Sequence, residues 1–164
     1  MAQSYFELGT DDKSDQYYRK AAEICESGQM LPSWRKLHEI GAAKAAARAH
    51  GNAVNLERLK GFEASSKVKV HAGAFDRYLA ELLLSHSDSR ADEAEHWITR
   101  AIETDRTNGM MLGVAHDYAL YAEWFQRKGD RPRVRENLGK AIAVFTECGA
   151  DGWVKRAEEK PAKV

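Results

Sequence analysis

The sequence is poor in the features that mark membrane-spanning, disulfide-stabilised and strongly charged proteins. It has only two cysteines, Cys25 and Cys148, and no CxxC or Cys/His spacing that would indicate a metal site. Its 25 basic residues balance 25 acidic ones, so no net charge draws the chain to nucleic acid or to an anionic membrane. No apolar run approaches the roughly 20 residues of a membrane-spanning helix, and the start lacks the basic and apolar regions of a signal peptide. These absences predict a soluble, cytoplasmic protein without a membrane partner.

The composition favours helix over strand. The 164 residues include only three prolines, 43% are apolar and 30% are charged. A chain of this length can bury one substantial core and is too short for two independent domains. We therefore expect one all-α domain.

Helical periodicity begins after the first dozen residues. Residues 1–12 show no sustained period and are predicted to be a flexible lead-in, followed by a helix over 14–27 that Ser14 caps. A second helix begins at Pro32 and ends at Gly51, and Asn52 is predicted to cap a third. Further helical patterns extend through about residue 158. We assign the domain to residues 13–159 and expect residues 160–164 to be disordered.

The last pair of long helices supplies the template of a repeat. Apolar and small residues recur at helical spacing on the first helix, a Gly129-Asp130 turn follows, and an aliphatic-to-alanine face runs along the second helix. The positions are Tyr118, Tyr121, Ala122 and Phe125, then Val134, Leu138 and Ala141. About 40 residues earlier, Ala94, Ile98 and Ala101 repeat the second face, and the match weakens toward the N-terminus.

This pattern resembles the tetratricopeptide repeat. The resemblance covers about residues 31–147 as three hairpins, over about 31–66, 68–105 and 110–147, with capping helices on either side. It implies a right-handed stack of about seven helices in antiparallel pairs, an α-solenoid. The period exceeds the usual 34 residues and no proline ends a second helix, so the repeat is of the longer, degenerate kind. It is similar to the C-terminal arrays of signal-transducing ATPase regulators and nucleotide cyclases, whose ending resembles Gly149-Ala150-Asp151-Gly152-Trp153 here.

Sequence motifs of catalysis are missing. No GxxxxGK[ST], GxGxxG or GxSxG occurs, so neither a phosphate-binding loop nor a serine nucleophile is indicated. Glu93 and His96 have the ExxH spacing of di-iron bundles, but no second ExxH accompanies them, and a solvated acidic face near a helix start is the favoured interpretation. We predict no enzymatic activity, no cofactor and no metal.

A basic cluster surrounds the turn of the last hairpin. Arg127, Lys128, Arg131, Arg133 and Arg135 form it, interrupted by acidic residues. The balanced overall charge disfavours a nucleic-acid interface, and a solvated turn is the preferred interpretation.

The resemblance also indicates where a partner would bind, since the first helix of each tetratricopeptide hairpin lines the concave face. The corresponding positions are Arg35 and His38 in the first hairpin, Asp76, Leu79, Leu83 and His86 in the second, and His116, Glu123 and Gln126 in the third. None is Lys or Asn, which disfavours the family's carboxylate clamp. Leu79 and Leu83 are either apolar anchors for a peptide or part of the core.

These patterns predict a non-enzymatic scaffold for protein interaction or ligand sensing in signal transduction or regulation. A protein or peptide of unspecified identity is the expected partner. The alternative is a small all-α metal protein or enzyme that uses its histidines. Tyr17 and Tyr18 either cap the stack or form a homodimer surface.

Overall fold

The computed structural model describes residues 1–28, 32–51, 54–64, 68–86 and 90–159. Within these ranges the chain is all-α, with nine helices and no strand. They are α1 (Ala2–Glu7), α2 (Asp11–Ser27), α3 (Pro32–His50), α4 (Leu56–Ala64), α5 (Lys69–His86), α6 (Ala91–Thr107), α7 (Met111–Arg127), α8 (Arg131–Glu147) and α9 (Asp151–Glu159). None of the helices in the described ranges is long and apolar enough to span a membrane.

Short glycine turns connect the C-terminal helices. Three residues separate α6 from α7, α7 from α8 and α8 from α9, and the middle one is Gly109, Gly129 or Gly149. Gly129 has a φ of 73°, a left-handed conformation that closes the end of α7 at little cost because glycine has no Cβ. Asp130 then accepts a hydrogen bond from the Arg133 backbone N–H at 3.1 Å and so caps α8. The predicted Gly129-Asp130 turn is therefore present.

Consecutive helices pack as pairs, which is compatible with a helical repeat. α5 packs along α6 and α7 along α8. The second pair lies within the range predicted for the third hairpin, and the first ends two residues beyond the range predicted for the second. The range 31–66 behaves differently, because α3 packs along α2 and α5 and makes little contact with α4. Residues Ala45, Ala46 and Ala47 are buried, and their small side chains allow this close approach.

The N-terminal residues depart from the prediction of a flexible lead-in. Residues 2–7 form α1, and α2 begins at Asp11 rather than at residue 14. Ser14 does not cap α2; it is buried, and its Oγ donates to the Ala2 carbonyl at 2.9 Å. A helix of one and a half turns leaves no measurable period in the sequence, and tertiary contacts stabilise it instead. The predicted cap Asn52 and the predicted tail 160–164 lie outside the described residues.

Helix α1 also contacts Tyr17 and Tyr18, for which the sequence allowed either a cap or a homodimer surface. The ring of Tyr17 stacks on Tyr5 of α1 with the centroids 5.2 Å apart, and Tyr18 is buried. Both side chains therefore make contacts within the chain.

Candidate functional site

The odd-numbered helices face a common cavity of about 650 Å³, which we call the concave cavity. Helices α1, α3, α5, α7 and α9 line it, and Phe145 of α8 completes the wall. The residues that line it are Phe6, Glu7, Arg48, Glu81, Leu84, Ser85, His116, Ala119, Leu120, Glu123, Arg127, Phe145, Trp153, Arg156 and Ala157. Its size falls in the range of about 300–1,000 Å³ typical of ligand pockets.

An aromatic cluster forms the wall nearest the C-terminus. The ring of His116 lies edge-on to Trp153, with the centroids 4.5 Å apart, and to Phe145, at 5.1 Å. Phe145 and Trp153 are themselves nearly parallel at 5.9 Å. Phe145 exposes only 1% of its surface, so the half-buried rings of His116 and Trp153 supply the accessible part of this wall, with the imidazole as a polar group.

Three arginines line the cavity, and each donates to a backbone carbonyl within the chain. Arg48 binds the carbonyl of Phe6, Arg127 that of Leu84 at 2.7 Å, and Arg156 that of Glu7 at 2.9 Å. Their side chains keep between 35% and 40% of their surface exposed, and each also pairs with a carboxylate, of Asp11, Glu123 and Glu7 respectively.

A buried lysine lies behind the cavity wall. Lys44 of α3 is fully buried and forms an ion pair with Glu81, while its Nζ donates to Gln3 Oε1 at 2.7 Å. It also lies 3.7 Å from the centroid of the Tyr78 ring. Burial lowers the pKa of Lys44 to about 8, against the opposing effect of Glu81. Lys44 thus fixes the position of Glu81, which lines the cavity.

The structure places the predicted groove residues in several different surroundings. His116 and Glu123 line the concave cavity, and Gln126 lies exposed one turn farther along α7. Arg35 lines a second cavity of about 510 Å³ on the other side of α3, where it pairs with Glu39 at 3.3 Å. The side chain of His86 lies outside the described residues.

The remaining candidates are buried or half-buried. Leu79 and Leu83 expose 0% and 1% of their surface, so the interpretation of these leucines as core is the one that holds. Asp76 is also buried and lies 3.4 Å from Arg100. His38 is half-buried beside Trp34, and burial together with the neighbouring His71 lowers the pKa of its imidazole. None of these side chains is placed to contact a partner in the cavity.

Several of the lining residues that sequence reasoning missed come from the two ends of the chain. Phe6 and Glu7 belong to α1, and Trp153 and Arg156 belong to α9. Arg156 bonds to Glu7, which precedes it by 149 residues. No local sequence pattern predicts a contact between segments this far apart. The opposite charges of Glu7 in α1 and Arg156 in α9 are compatible with such a contact.

Charged residues of the ExxH pattern and of the basic cluster, which raised the metal and nucleic-acid alternatives, form ion pairs within the chain. Glu93 pairs with Lys60 at 2.6 Å and with Arg90 at 2.8 Å, and His96 lies exposed against Trp97. In the basic cluster, Lys128 pairs with Asp92 at 3.2 Å and Arg133 with Asp130 at 3.4 Å. These ion pairs favour the interpretation of both patterns as solvated surface.

Below the cavity, a buried cluster of one arginine and two aspartates joins α5, α6 and α7. Arg77 Nη1 lies 2.8 Å from Asp117 Oδ1 and 3.3 Å from Asp105 Oδ2. Burial raises the pKa of Asp117 to about 7; Arg77 opposes the rise, whereas Asp105 and Glu81 add to it. Burial raises the pKa of Asp105 as well. Two carboxyl groups thus share one guanidinium, and one of them tends to hold a proton.

This cluster predicts that stability falls as the pH rises toward 7. In the unfolded chain Asp117 has an ordinary pKa near 3.8, so between that pH and about 7 the folded protein holds a proton that the unfolded chain has released. The stabilisation is complete below about pH 4 and is lost as the pH passes through the folded pKa. We expect wild type to lose about 1 to 3 kcal/mol relative to Asp117→Asn between pH 5 and 7.5.

Urea unfolding of the two proteins at the two pH values measures this difference. The asparagine variant is the control, because it cannot titrate at this position and retains every other carboxylate. Parallel pH dependences of the two proteins would contradict the assignment of a raised pKa to Asp117.

Comparison of the chain with protein-family models, with curated proteins and with solved structures finds no match.

Proposed function

We propose that this protein is a non-enzymatic recognition module that binds a protein or peptide segment in the concave cavity. The observation that carries the proposal is the cavity of about 650 Å³ itself, on the face lined by the odd-numbered helices. Those helices include α3, α5 and α7, which correspond to the groove-lining helices of a tetratricopeptide-like array. A role in a signalling or regulatory protein is part of the same proposal.

The chemistry of the wall supports a peptide as the bound partner. The aromatic cluster of His116, Phe145 and Trp153 can receive an apolar side chain, and Arg127 and Glu123 beside it can pair with polar groups of either charge. Peptide recognition by helical grooves generally combines apolar anchors with such polar contacts. The mixed charge of the wall favours a partner with both kinds of group over a purely acidic or purely apolar one.

Filling the cavity tests the proposal. A random peptide library displayed on phage would be selected against the wild-type protein, and the enriched peptides measured by fluorescence polarisation against variants. Ala119 lines the cavity and is partly exposed, so the indole of Ala119→Trp should occupy part of the space. We expect this variant to weaken peptide binding at least about tenfold, or about 1.4 kcal/mol.

The matched control places the same side chain in the second cavity. Ala43 lines that cavity and is likewise partly exposed, so Ala43→Trp should leave peptide affinity unchanged within about twofold. Circular dichroism checks that both variants keep the helical content of wild type. Enrichment of no peptide, or equal binding to all three proteins, would refute the proposal.

A further inference from the structure

Helix α1 closes one end of the concave cavity. Its last two residues, Phe6 and Glu7, are part of the cavity lining, and the arginines that they contact, Arg48 and Arg156, also line it. The helix has only six residues and buries one of them, Phe6. An isolated helix of this length does not form in water, so α1 owes its conformation to the surface on which it lies.

The aromatic ring of Phe6 lies against two cations. The Arg48 guanidinium carbon is 3.5 Å from the ring centroid, and Lys44 Nζ is 4.1 Å from it. Arg48 also donates to the Phe6 backbone carbonyl. The ring is therefore recognised by cation–π contacts, and the main chain next to it by a charged hydrogen bond.

The carboxylate of Glu7 meets the opposite end of the array. Arg156 Nη1 lies 3.4 Å from Glu7 Oε2, and Arg156 Nη2 donates to the Glu7 carbonyl at 2.9 Å. Both arginines thus bind carbonyls at the C-terminal end of a helix, where the last carbonyls lack partners within the helix and the dipole is negative. Burial raises the pKa of Glu7, because this carboxylate exchanges water for contacts inside the cavity.

These contacts define what this part of the cavity recognises. It receives an aromatic side chain followed by a carboxylate, presented at the end of a short helix. We call this surface, formed by Lys44, Arg48 and Arg156, the α1 seat. Arg48 and Arg156 keep 35% and 40% of their surface exposed, so their charges are already partly solvated with α1 in place. Lys44 is fully buried, and departure of α1 would remove its contacts with Gln3 and Phe6 while its ion pair with Glu81 on α5 remains.

We propose that α1 is an internal ligand of the concave cavity, and that the partner presents the same chemistry, an aromatic residue followed by a carboxylate at a helix end. Such a segment would displace α1 from its seat and bind in its place. This proposal rests on the proposed function and specifies its partner. It also implies that α1 limits binding, since an external segment must compete with one that is covalently tethered.

A synthetic peptide with the sequence of residues 1–10, labelled with fluorescein, serves as the probe. Binding is measured by fluorescence polarisation to wild type and to Phe6→Ala/Glu7→Ala, which removes the internal ligand and keeps the seat. If α1 occupies its seat about nine-tenths of the time, the variant should bind the probe about tenfold more tightly than wild type. Adding Arg48→Ala to the variant should abolish the gain, as should replacing Phe6 and Glu7 by alanine in the probe.

A second variant keeps the proposal testable if the first one misfolds. Ser14→Ala removes the hydrogen bond to the Ala2 carbonyl that attaches α1 to α2, and it leaves the residues Phe6 and Glu7 and those of the seat in place. We expect a smaller gain in probe affinity, about threefold, with unchanged helical content. Equal affinity of wild type and both variants for the probe, or no binding to any of them, would show that α1 is a permanent part of the fold and would overturn the proposal.

The result of the α1 probe experiment can be distinguished from that of the peptide selection. Library peptides that bind wild type and are lost in Ala119→Trp, together with no response to the α1 probe, would leave the cavity as a binding site and reject α1 as its internal ligand. Failure of both experiments would reject the cavity as a binding site as well.

Discussion

Replacing Arg77 with methionine is expected to lower the free energy of unfolding by about 3 to 5 kcal/mol. Arg77 supplies the positive charge beside Asp105 and Asp117, which expose 3% and 0% of their side-chain surface. Burial alone would lower the pKa of Arg77, and Asp117 and its other acidic neighbours raise it, so the guanidinium remains charged. Methionine has a similar length and is apolar, so it fills the space and leaves two buried carboxyl groups without their cation.

The loss comes from leaving two buried carboxyl groups without their cation, where each must stay charged and unpaired or take up a proton, rather than from the value of the ion pair. Taking charged groups out of water is costly, and their mutual attraction roughly offsets that cost in an intact buried cluster. Removing one partner keeps the cost and loses the attraction. We therefore expect Arg77→Met/Asp105→Asn/Asp117→Asn to recover much of the lost stability, since all three groups are then neutral.

Urea unfolding monitored by circular dichroism measures both variants. Arg19→Met is the matched control, because Arg19 exposes 61% of its side chain and pairs with Asp15 on the same helix face. Its stability should change by less than about 1 kcal/mol. An Arg77→Met protein as stable as the control at pH 7 would contradict a buried, cation-dependent cluster.

Replacing Gly73 with alanine is the second change for which we expect a large loss, about 2 to 4 kcal/mol. Asp105 reaches from α6 into a space bounded by Gly73 of α5 and Gly113 of α7. A Cβ on Gly73 would overlap Asp105 Oδ1 and lie 2.7 Å from Oδ2, and one on Gly113 would overlap Oδ2. The carboxylate cannot withdraw from one glycine without approaching the other or leaving Arg77.

Two further variants distinguish overlap with the Asp105 carboxylate from a general effect of replacing glycine with alanine. Gly139 of α8 has open space where a Cβ would lie, so Gly139→Ala should raise stability by about 0.5 to 1 kcal/mol through helix propensity alone. In Gly73→Ala/Asp105→Ala the methyl group enters space that the carboxylate has left, so the double variant should be more stable than the sum of the two single losses predicts. Additive losses would mean that Asp105 and Gly73 do not share this space.

The helices that the sequence identified are those with several turns of regular apolar spacing. The pattern placed α3, and the outer ends of the two hairpins that contain α5 to α8, within a few residues of their observed positions. The Gly129-Asp130 turn was readable from residue type alone. α1 was missed because one and a half turns carry no period. α4 begins at Leu56, where Asn55 accepts a hydrogen bond from the Arg58 backbone N–H at 3.0 Å. That start is later than predicted.

The site was less accessible to sequence reasoning than the helices. His116 and Glu123 were found because they occupy groove positions on a helix with a clear repeat pattern. Leu79 and Leu83 occupy equivalent positions on α5 but are buried in the core, and α5 packs on both α3 and α6. The local sequence shows which residues share one face of a helix, but it does not show which neighbouring helix packs on that face.

By itself the sequence determined where the main helices form and which turns connect them, since those depend on spacing, capping and glycine within a few residues. Only the tertiary structure decided that α2 replaces α4 as the partner of α3, and that α1 meets α9 through Glu7 and Arg156. It also decided that Asp105 lies between two glycines beside Arg77. Each of these contacts joins residues whose separation along the chain is many helical turns, and it is selected by packing and charge compensation that no local pattern encodes.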